Sequence, residues 1–553
     1  MSRFFCGQQL KTRRYLSVSR FFYQFVYQSR RMAATAERPG ERTLRRGIIG
    51  RLFAVLALVT FLSFGLRVQA GEWPLEGGNE QRQRSSEERP GSVLYPRWSF
   101  RLPERFRSSP VLAGERVFLG SESGRFYALD EKTGAVLWSL PSSQRIRSSP
   151  TVDQDRVFLS DYGGLVRAVE ASSGRGLWEF PTAGWISGSL LAAQDLVLFG
   201  SSDGSFYALD AVTGALRWRY DTGNDLFRAG AALAGKRLVV GTHNGQVLAL
   251  DSDSGRLLWS QTIPGKGALD SLPVITDDRV FVAASGDGGG LYALDLATGK
   301  QLWEYRSPDN KWQGLALRAD LLVASEWGEV YGFNPGDYQL KWVFRHEPVR
   351  KGTRKYWPVI EAPLLTAEGV YIVTSFEIEG EPSRLILLDS TSGRKKAEWP
   401  LAEKAVAAPL VAEGSLYLSQ VGRLDAWKGL TIKLDGQPVV FPDVAPFFDT
   451  GRVLAPGRFL ATAMGARVTW LEEEEAAVLE LNGRSLKLWS GRRKAHLTTA
   501  GLGSQYFSMD VTPLLQGGRL LVPVRFVAEK LAGATVTWEA ETLTVRVESP
   551  PKR

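Results

Sequence analysis

The chain of 553 residues has one cysteine, Cys6, three histidines, and no apolar run beyond Leu66 long enough to cross a bilayer. Each shortage closes off a class of chemistry. Cys6 lies in an N-terminal leader, so the remainder can form no disulfide, thiolate nucleophile or cysteine-ligated metal centre. His243, His346 and His496 lie far apart without the spacing of paired metal ligands, and each is expected in an ordinary turn or surface position. No glycine-rich phosphate loop and no Gly-x-Ser-x-Gly elbow occurs.

Acidic residues are scarce at the start: residues 1–70 hold 2 against 13 Lys and Arg, leaving 57 acidic against 55 basic residues in 71–553. The net charge of +9 therefore belongs to the leader. The nearly neutral body has no general electrostatic footprint for a nucleic acid. Within the leader, Arg45, Arg46 and Arg51 precede an apolar run over 52–65, and Val68-Gln69-Ala70 follows as a small-residue cleavage site. Residues 1–70 read as an export signal with an extended basic region, cut after Ala70. The alternative is a retained anchor, but an apolar core of about 14 residues falls short of the roughly 20 that span a bilayer. Met32 offers a second start, and Arg45-Arg46 leaves the twin-arginine route open beside the general one. The expected location is periplasmic, cell-surface or extracellular, with no stable membrane span after cleavage.

Glycine and tryptophan are abundant, with 57 and 17 residues, and they recur with a fixed period. The segment running from Phe126 through Asp130, Thr133 and Gly134 to Trp138 returns as 206–218 and again as 291–303. Looser copies pass through Glu170, Gly174 and Trp178, then Asp251, Gly255 and Trp259. Later copies decay: Asn334 and Trp342 keep the spacing with Tyr338 in place of glycine, and Asp389 and Gly393 reach Trp399 late. Each unit of about 40 residues divides into four short β-prone runs separated by turn residues, as in 109–113, 116–120, 126–129 and 135–140. The Asp accepts hydrogen bonds from its own turn and the Gly supplies a positive φ, closing a bulged hairpin. The tryptophan four residues later lies on the outermost strand, placed to rivet one sheet to the next.

Four-stranded units of this length suit a β-propeller, which manages exposed sheet edges by radial repetition. Seven whole units begin near Arg107, Arg147, Ser187, Arg228, Asp270, Gln313 and Trp357. An eighth, ending near Trp427, is one strand short. The missing strand is at the other end, where Trp98 stands one period before Trp138. The expected fold is mainly β: an eight-bladed propeller over 96–428, preceded by a lead-in over 71–95. The expected structural docking set is Trp98, Trp138, Trp178, Trp218, Trp259, Trp303, Trp342 and Trp399, with Gly134, Gly174, Gly214, Gly255 and Gly299.

The pattern Ala-x-Asp-x-x-Thr-Gly-x-x-x-Trp resembles the tryptophan-docking repeat of pyrroloquinoline quinone (PQQ)-type propellers, and the segment 73–79 is similar to one that often opens them. The resemblance covers about 73–428. It implies either a quinone-dependent dehydrogenase, holding PQQ beside calcium in a funnel, or a non-catalytic scaffold such as the lipoprotein of the outer-membrane β-barrel assembly machinery. Typical dehydrogenases carry a disulfide of adjacent cysteines, which this chain cannot supply, and no calcium-and-base constellation stands out.

After Trp427 the period stops. Residues 451–458 and 465–470 return 67 to 68 residues later as 518–525 and 533–538, so 429–549 reads as a small duplicated α+β domain before a tail over 550–553. A helix is expected over 524–531, stopped at Gly533. The segment resembles the copper amine oxidase N-terminal-like domain, an accessory module, and implies no copper chemistry here.

Two places stand out for binding. The segments that enter each innermost strand gather Arg107, Arg147, Arg228 and Asp270 at one mouth, with Trp185, Trp312 and Trp357 nearby, which suits an anionic, extended peptide or glycan ligand. The longer sixth-to-seventh connection carries the basic segment 350–355. The expectation is a non-catalytic, exported binding or scaffolding protein with no cofactor, no metal, and no nucleic acid partner. Its partners are envelope or secreted proteins. A PQQ- and calcium-dependent dehydrogenase, and wall-glycan binding through the C-terminal domain, are the alternatives.

Overall fold

A computed structural model describes residues 72–550, save 91, 92, 104, 224, 265, 266, 287, 308, 379, 442, 443 and 541. The leader, with Cys6, Met32 and the proposed cleavage site, lies outside the described residues. Eight sheets follow one another as blades. Blade 1 comprises Val111–Ala113, Arg116–Gly120, Arg125–Asp130 and Val136–Pro141, an antiparallel meander running from the hub to the rim. Blades 2 to 6 repeat it. In blade 7 the innermost strand is broken into Val359–Ile360 and Leu364–Thr366, both pairing with Gly369–Ser375. Blade 8 takes three strands from the end of the ring and its outermost, Leu94–Arg101, from the beginning, with Trp98 opposite Ala426. Sharing this sheet between the two ends of the ring removes the open edges that a linear array would expose.

The rivets explain the period. In blades 1 to 5 the turn glycines Gly134, Gly174, Gly214, Gly255 and Gly299 have φ between +70° and +74°. A Cβ there would sit 2.5 to 2.8 Å from the indole of the preceding blade's tryptophan. Thus Trp98 lies on Gly134, Trp138 on Gly174, Trp178 on Gly214, Trp218 on Gly255 and Trp259 on Gly299. Each indole Nε1–H also donates to the carbonyl just after the turn's acidic residue, at 2.8 to 3.2 Å, as Trp98 does to Glu131 and Trp178 to Ala211. Trp342 repeats the arrangement on Gly393 and the Ser390 carbonyl at 2.9 Å.

Two expected rivets are built differently. Trp303 meets Tyr338 where a glycine would be, and the two rings stack at 5.3 Å and 11°. The carbonyl an indole would take, that of Pro335, instead accepts from Arg279, whose guanidinium lies over Tyr338 at 5.2 Å. Trp399 is not a docking residue. The docking tryptophans stand opposite the small residue of the third strand, as Trp138 does Ala128, but in blade 7 that register is held by Ala397 opposite Leu387. Trp399 falls two residues further along, opposite Leu385, and packs near Tyr371.

The lead-in, 72–90, does not hang outside the ring. It runs along the free inner edges of the innermost strands. The Trp73 carbonyl accepts from Leu112 of blade 1, that of Pro74 from Val152 of blade 2, and that of Glu80 from Leu233 of blade 4. Gln81, Gln83 and Arg84 do the same for Ile275, Leu317 and Leu365 of blades 5 to 7, and the Glu88 carboxylate accepts from the Gly414 amide of blade 8. At its centre Arg82, fully buried, donates to the carbonyls of Leu190 in blade 3 and Ala231 in blade 4, both at 2.9 Å, and to its own segment at Glu76. Burial draws its guanidinium down to about 10.

Beyond Gly429 the chain builds a second domain. Its two half-repeats meet where Arg452–Pro456 pairs antiparallel with Arg519–Pro523. Each of these strands ends in a proline that leads into a short helix, Gly457–Ala463 in one half and Val524–Val527 in the other, the latter prolonged by a π-helical turn over Ala528–Ala532. The helix stops at Gly533, φ +65°. Tyr95 of the first propeller strand touches this domain: its hydroxyl accepts from the Phe448 amide at 3.0 Å and the rings meet edge to face at 5.2 Å.

Two outcomes follow from these contacts. Gly214→Ala, which must displace the Trp178 ring as well as strain the backbone, is expected to destabilise more than Gly223→Ala, whose Cβ meets nothing; each carries the φ cost of roughly 1–2 kcal/mol, so the difference in denaturant midpoint isolates the rivet. Arg82→Met is expected to leave three carbonyls without their donor at about 1–3 kcal/mol each. It should make 72–90 the first site of limited proteolysis.

Candidate functional site at the propeller hub

In a meander of four strands the turns alternate between the two ends of the sheet. The connection from one blade to the next and the turn between the second and third strands share one face; the other two hairpin turns share the opposite face. The same backbone bond fixes the mouth in several blades: the amide of the second-to-third-strand turn donates to the incoming segment. It joins Glu122 to Arg105, Tyr162 to Arg145, Ser202 to Trp185 and His243 to Leu226, at 2.8 to 2.9 Å. Because the backbone is fixed, the mouth's chemistry is set by which side chain each blade places there.

Below the mouth lies a hub cavity of about 220 Å³ to which all eight blades contribute, floored by Glu76 and Arg84 of the lead-in. In seven blades its wall is made of small residues at equivalent positions, Ser109, Ser149, Ser189, Gly230, Gly314, Ala362 and Ala408, with Leu272 at that position in blade 5. Glu76 and Arg84 form an ion pair at 2.8 Å, and Ser109 donates to the same carboxylate. Glu361 also lines the cavity, one residue before Ala362. It sits at the break in the innermost strand of blade 7, and its carboxylate makes no hydrogen bond or ion pair among the described residues. Burial raises its pKa, while Arg84, Lys404 and Arg107 pull the other way.

The structure brings most of the expected mouth residues together. Arg107 and Arg147 both reach Glu122, at 3.3 and 3.0 Å. Arg228 and His243 both reach Asp270, at 3.8 and 3.0 Å. Trp185 stacks on Tyr162 with centroids 5.2 Å apart and planes 7° from parallel. Trp357 stands at the base of a two-stranded hairpin, Val349–Lys351 with Arg354–Tyr356, and its ring covers Gly328. Trp312 is not part of the mouth: it is buried to 3% exposure in the wedge of aromatic residues between blades 5 and 6, beside Tyr305 and Tyr331.

Glu122, Arg145, Tyr162 and His243 stand at the mouth but were outside the sequence expectation. Arg145 lies 4.4 Å above the Tyr162 ring, with Arg147 at 5.1 Å, and Arg228 lies 5.7 Å from the Trp185 ring. Tyr162 occupies the turn position held by Glu122 one blade earlier, so the period could have found it once the two ends of the sheets were distinguished.

Glu361 yields a pH signature. A carboxyl whose pKa is higher folded than unfolded binds more protons in the native state, so it lowers stability as pH rises above its unfolded value. Glu361→Gln is expected to raise the melting temperature at pH 7.5, an effect on the order of 1 kcal/mol for a poorly partnered buried group, and to lose that advantage by pH 4.

Residues 433–547 match the copper amine oxidase N-terminal domain. A curated relative, outer membrane protein assembly factor BamB of Nitrosomonas eutropha, is 31% identical over 123 residues, 21% of this chain and 28% of that protein. The dehydrogenase subunit of a quinone alcohol dehydrogenase of Gluconobacter oxydans is 34% identical over 124 residues, 19% of this chain and 16% of that one. The chain thus spans less than a third of the length of either relative. Among solved structures, quinohemoprotein alcohol dehydrogenase from Pseudomonas putida HK5 has a TM-score of 0.55 at 15% identity, covering 71% of this chain and 84% of that one. A europium-containing methanol dehydrogenase has a TM-score of 0.53 at 14% identity, covering 66% and 99%. At these identities the likeness is one of fold. The family model described as outer membrane protein assembly factor BamB matches 94–149, 128–227 and 207–429, more than half of the chain, which therefore belongs to that family of PQQ-like propellers and carries a copper amine oxidase N-terminal domain behind it.

Proposed function

We propose that this chain is an exported, non-catalytic platform that binds envelope or secreted proteins at the mouth of its propeller. The carrying observation is that all eight blades and the lead-in converge on a hub built for closure, while the charged and aromatic side chains stand at the rim. A hub cavity of about 220 Å³ is below the roughly 300–1,000 Å³ of ordinary ligand pockets and lacks their aromatic lining. The lead-in takes up the inner strand edges that would otherwise line an open channel.

A quinone with calcium fits these residues poorly. Such a site asks for carboxylate and amide oxygens converging on one cation. Here Glu76 is committed to Arg84, Asp270 to Arg228 and His243, and Glu361 stands alone. Among the described residues no three acidic, histidine or cysteine side chains converge within reach of one metal ion. Membership of the BamB family supports the platform reading, and no helix among the described residues is long and apolar enough to cross a membrane.

Two measurements test the proposal. Titration with PQQ and calcium is expected to give no stoichiometric quinone binding and no dye-linked alcohol oxidation; either would reverse the reading. Cross-linking from a photoreactive group at the rim position Ser202 in an exporting host is expected to yield defined protein adducts. A group placed at Lys300, on the opposite face, should not yield the same adducts.

A further inference from the structure

The two faces of the propeller present different side chains at their turns. On the face opposite the mouth, the turns between first and second strands carry Glu115, Asp155, Asp195, Asp277, Asp320 and Glu413, all exposed. On the mouth face, Arg145, Arg147 and Arg228 accompany the stacked pair Tyr162 and Trp185, and the basic hairpin over 349–356 projects from the same end.

The stacked row has a specific geometry. Guanidinium groups held over aromatic rings keep their in-plane N–H donors free for planar, two-point contact with a carboxylate. Arg145 makes no ion pair among the described residues: its guanidinium is engaged only with the Tyr162 ring at 4.4 Å. Beside it, Tyr162 and Trp185 form one continuous partly exposed aromatic surface across blades 2 and 3. Positive donors at both ends of an aromatic strip are the complement of an extended segment that carries carboxylates on either side of an aromatic or apolar side chain.

We infer that the row from Arg145 through Tyr162 and Trp185 to Arg228 is the docking site for an acidic, aromatic-containing segment of a partner protein. This rests on the platform reading and names the chemistry of its partner. Arg145, which pairs with no carboxylate among the described residues, takes the first acidic group; the exposed edges of the Tyr162–Trp185 strip take the aromatic side chain. Arg228, 3.8 Å from Asp270, exchanges that long contact for a second acidic group of the segment.

The probe is a fluorescent random copolymer of glutamate and tyrosine, with polyglutamate and anionic phosphatidylglycerol vesicles as comparisons. The full chain is expected to bind the copolymer more tightly than polyglutamate, and less tightly as salt rises. Arg145→Glu and Trp185→Ala should each weaken it by roughly 10–30-fold, the scale of a lost arginine or aromatic anchor. Arg145→Lys, which keeps the charge and loses the planar stack, should fall between. Lys300→Glu makes the same charge change on the opposite face and should alter binding by less than about twofold at a distance well beyond the Debye length. Thermal unfolding of each variant separates lost docking from lost folding. Equal loss in Arg145→Glu and Lys300→Glu, equal binding of copolymer and polyglutamate, or row-dependent binding of vesicles in preference to the copolymer would each overturn the inference. Failure of the copolymer while rim cross-links to proteins persist would remove the row and leave the platform; loss of those cross-links would remove the platform itself.

Discussion

The structure depends on a contact that only glycine permits. Each indole lies where a Cβ would be, and the same turn that clears this space presents a carbonyl to the indole N–H. One residue type thus serves two purposes: its freedom at positive φ closes a hairpin, and its missing side chain admits the neighbouring blade. Because both are needed at once, the period in the sequence is tight where the contact is kept and loosens where it is not. The Trp303–Tyr338 pair shows the alternative, in which a large ring stacks on another ring and an arginine takes the carbonyl the indole gave up.

Rigid, equivalent blades free the mouth to diversify. The bond between each second-to-third-strand turn and the incoming segment is the same whether the turn carries Glu122, Tyr162 or His243. Function can therefore be rewritten at the rim without disturbing the rivets, which lie at the outer ends of the sheets. This separation accounts for a family in which dehydrogenases and assembly factors share a fold. What this chain shares with the solved quinoprotein structures is the scaffold, and a shared scaffold does not fix a function.

Much of this was legible in the sequence. Trp98, placed one period before Trp138, announced the shared eighth blade, and the mouth arginines fell out of the register of the innermost strands. Three features were not legible. Trp399 shares the spacing logic but lies two residues out of register, which only strand pairing reveals. Trp312 lies in the segment entering blade 6, yet its ring turns into the wedge between blades; position along the strand does not fix which way a side chain points. The lead-in, finally, has no periodicity of its own, because it reaches all eight blades through its backbone, Arg82 and Glu88, and backbone hydrogen bonds leave little trace in residue type.

The lead-in also bears on how the chain reaches its native state. Residues 72–90 are made before any blade, yet their partners range from Leu112 to Gly414. The first segment of the ring must therefore wait for its last, and so must Leu94–Arg101, whose neighbour is Arg423–Gly429. Contacts of such long sequence separation slow assembly. They also mean that a partly emerged ring has neither its clasp nor its keystone, so it stays unlocked until the whole propeller is available. The order of synthesis makes completion of the circle the committing event, with the ring's own earliest residues acting as the final bolt.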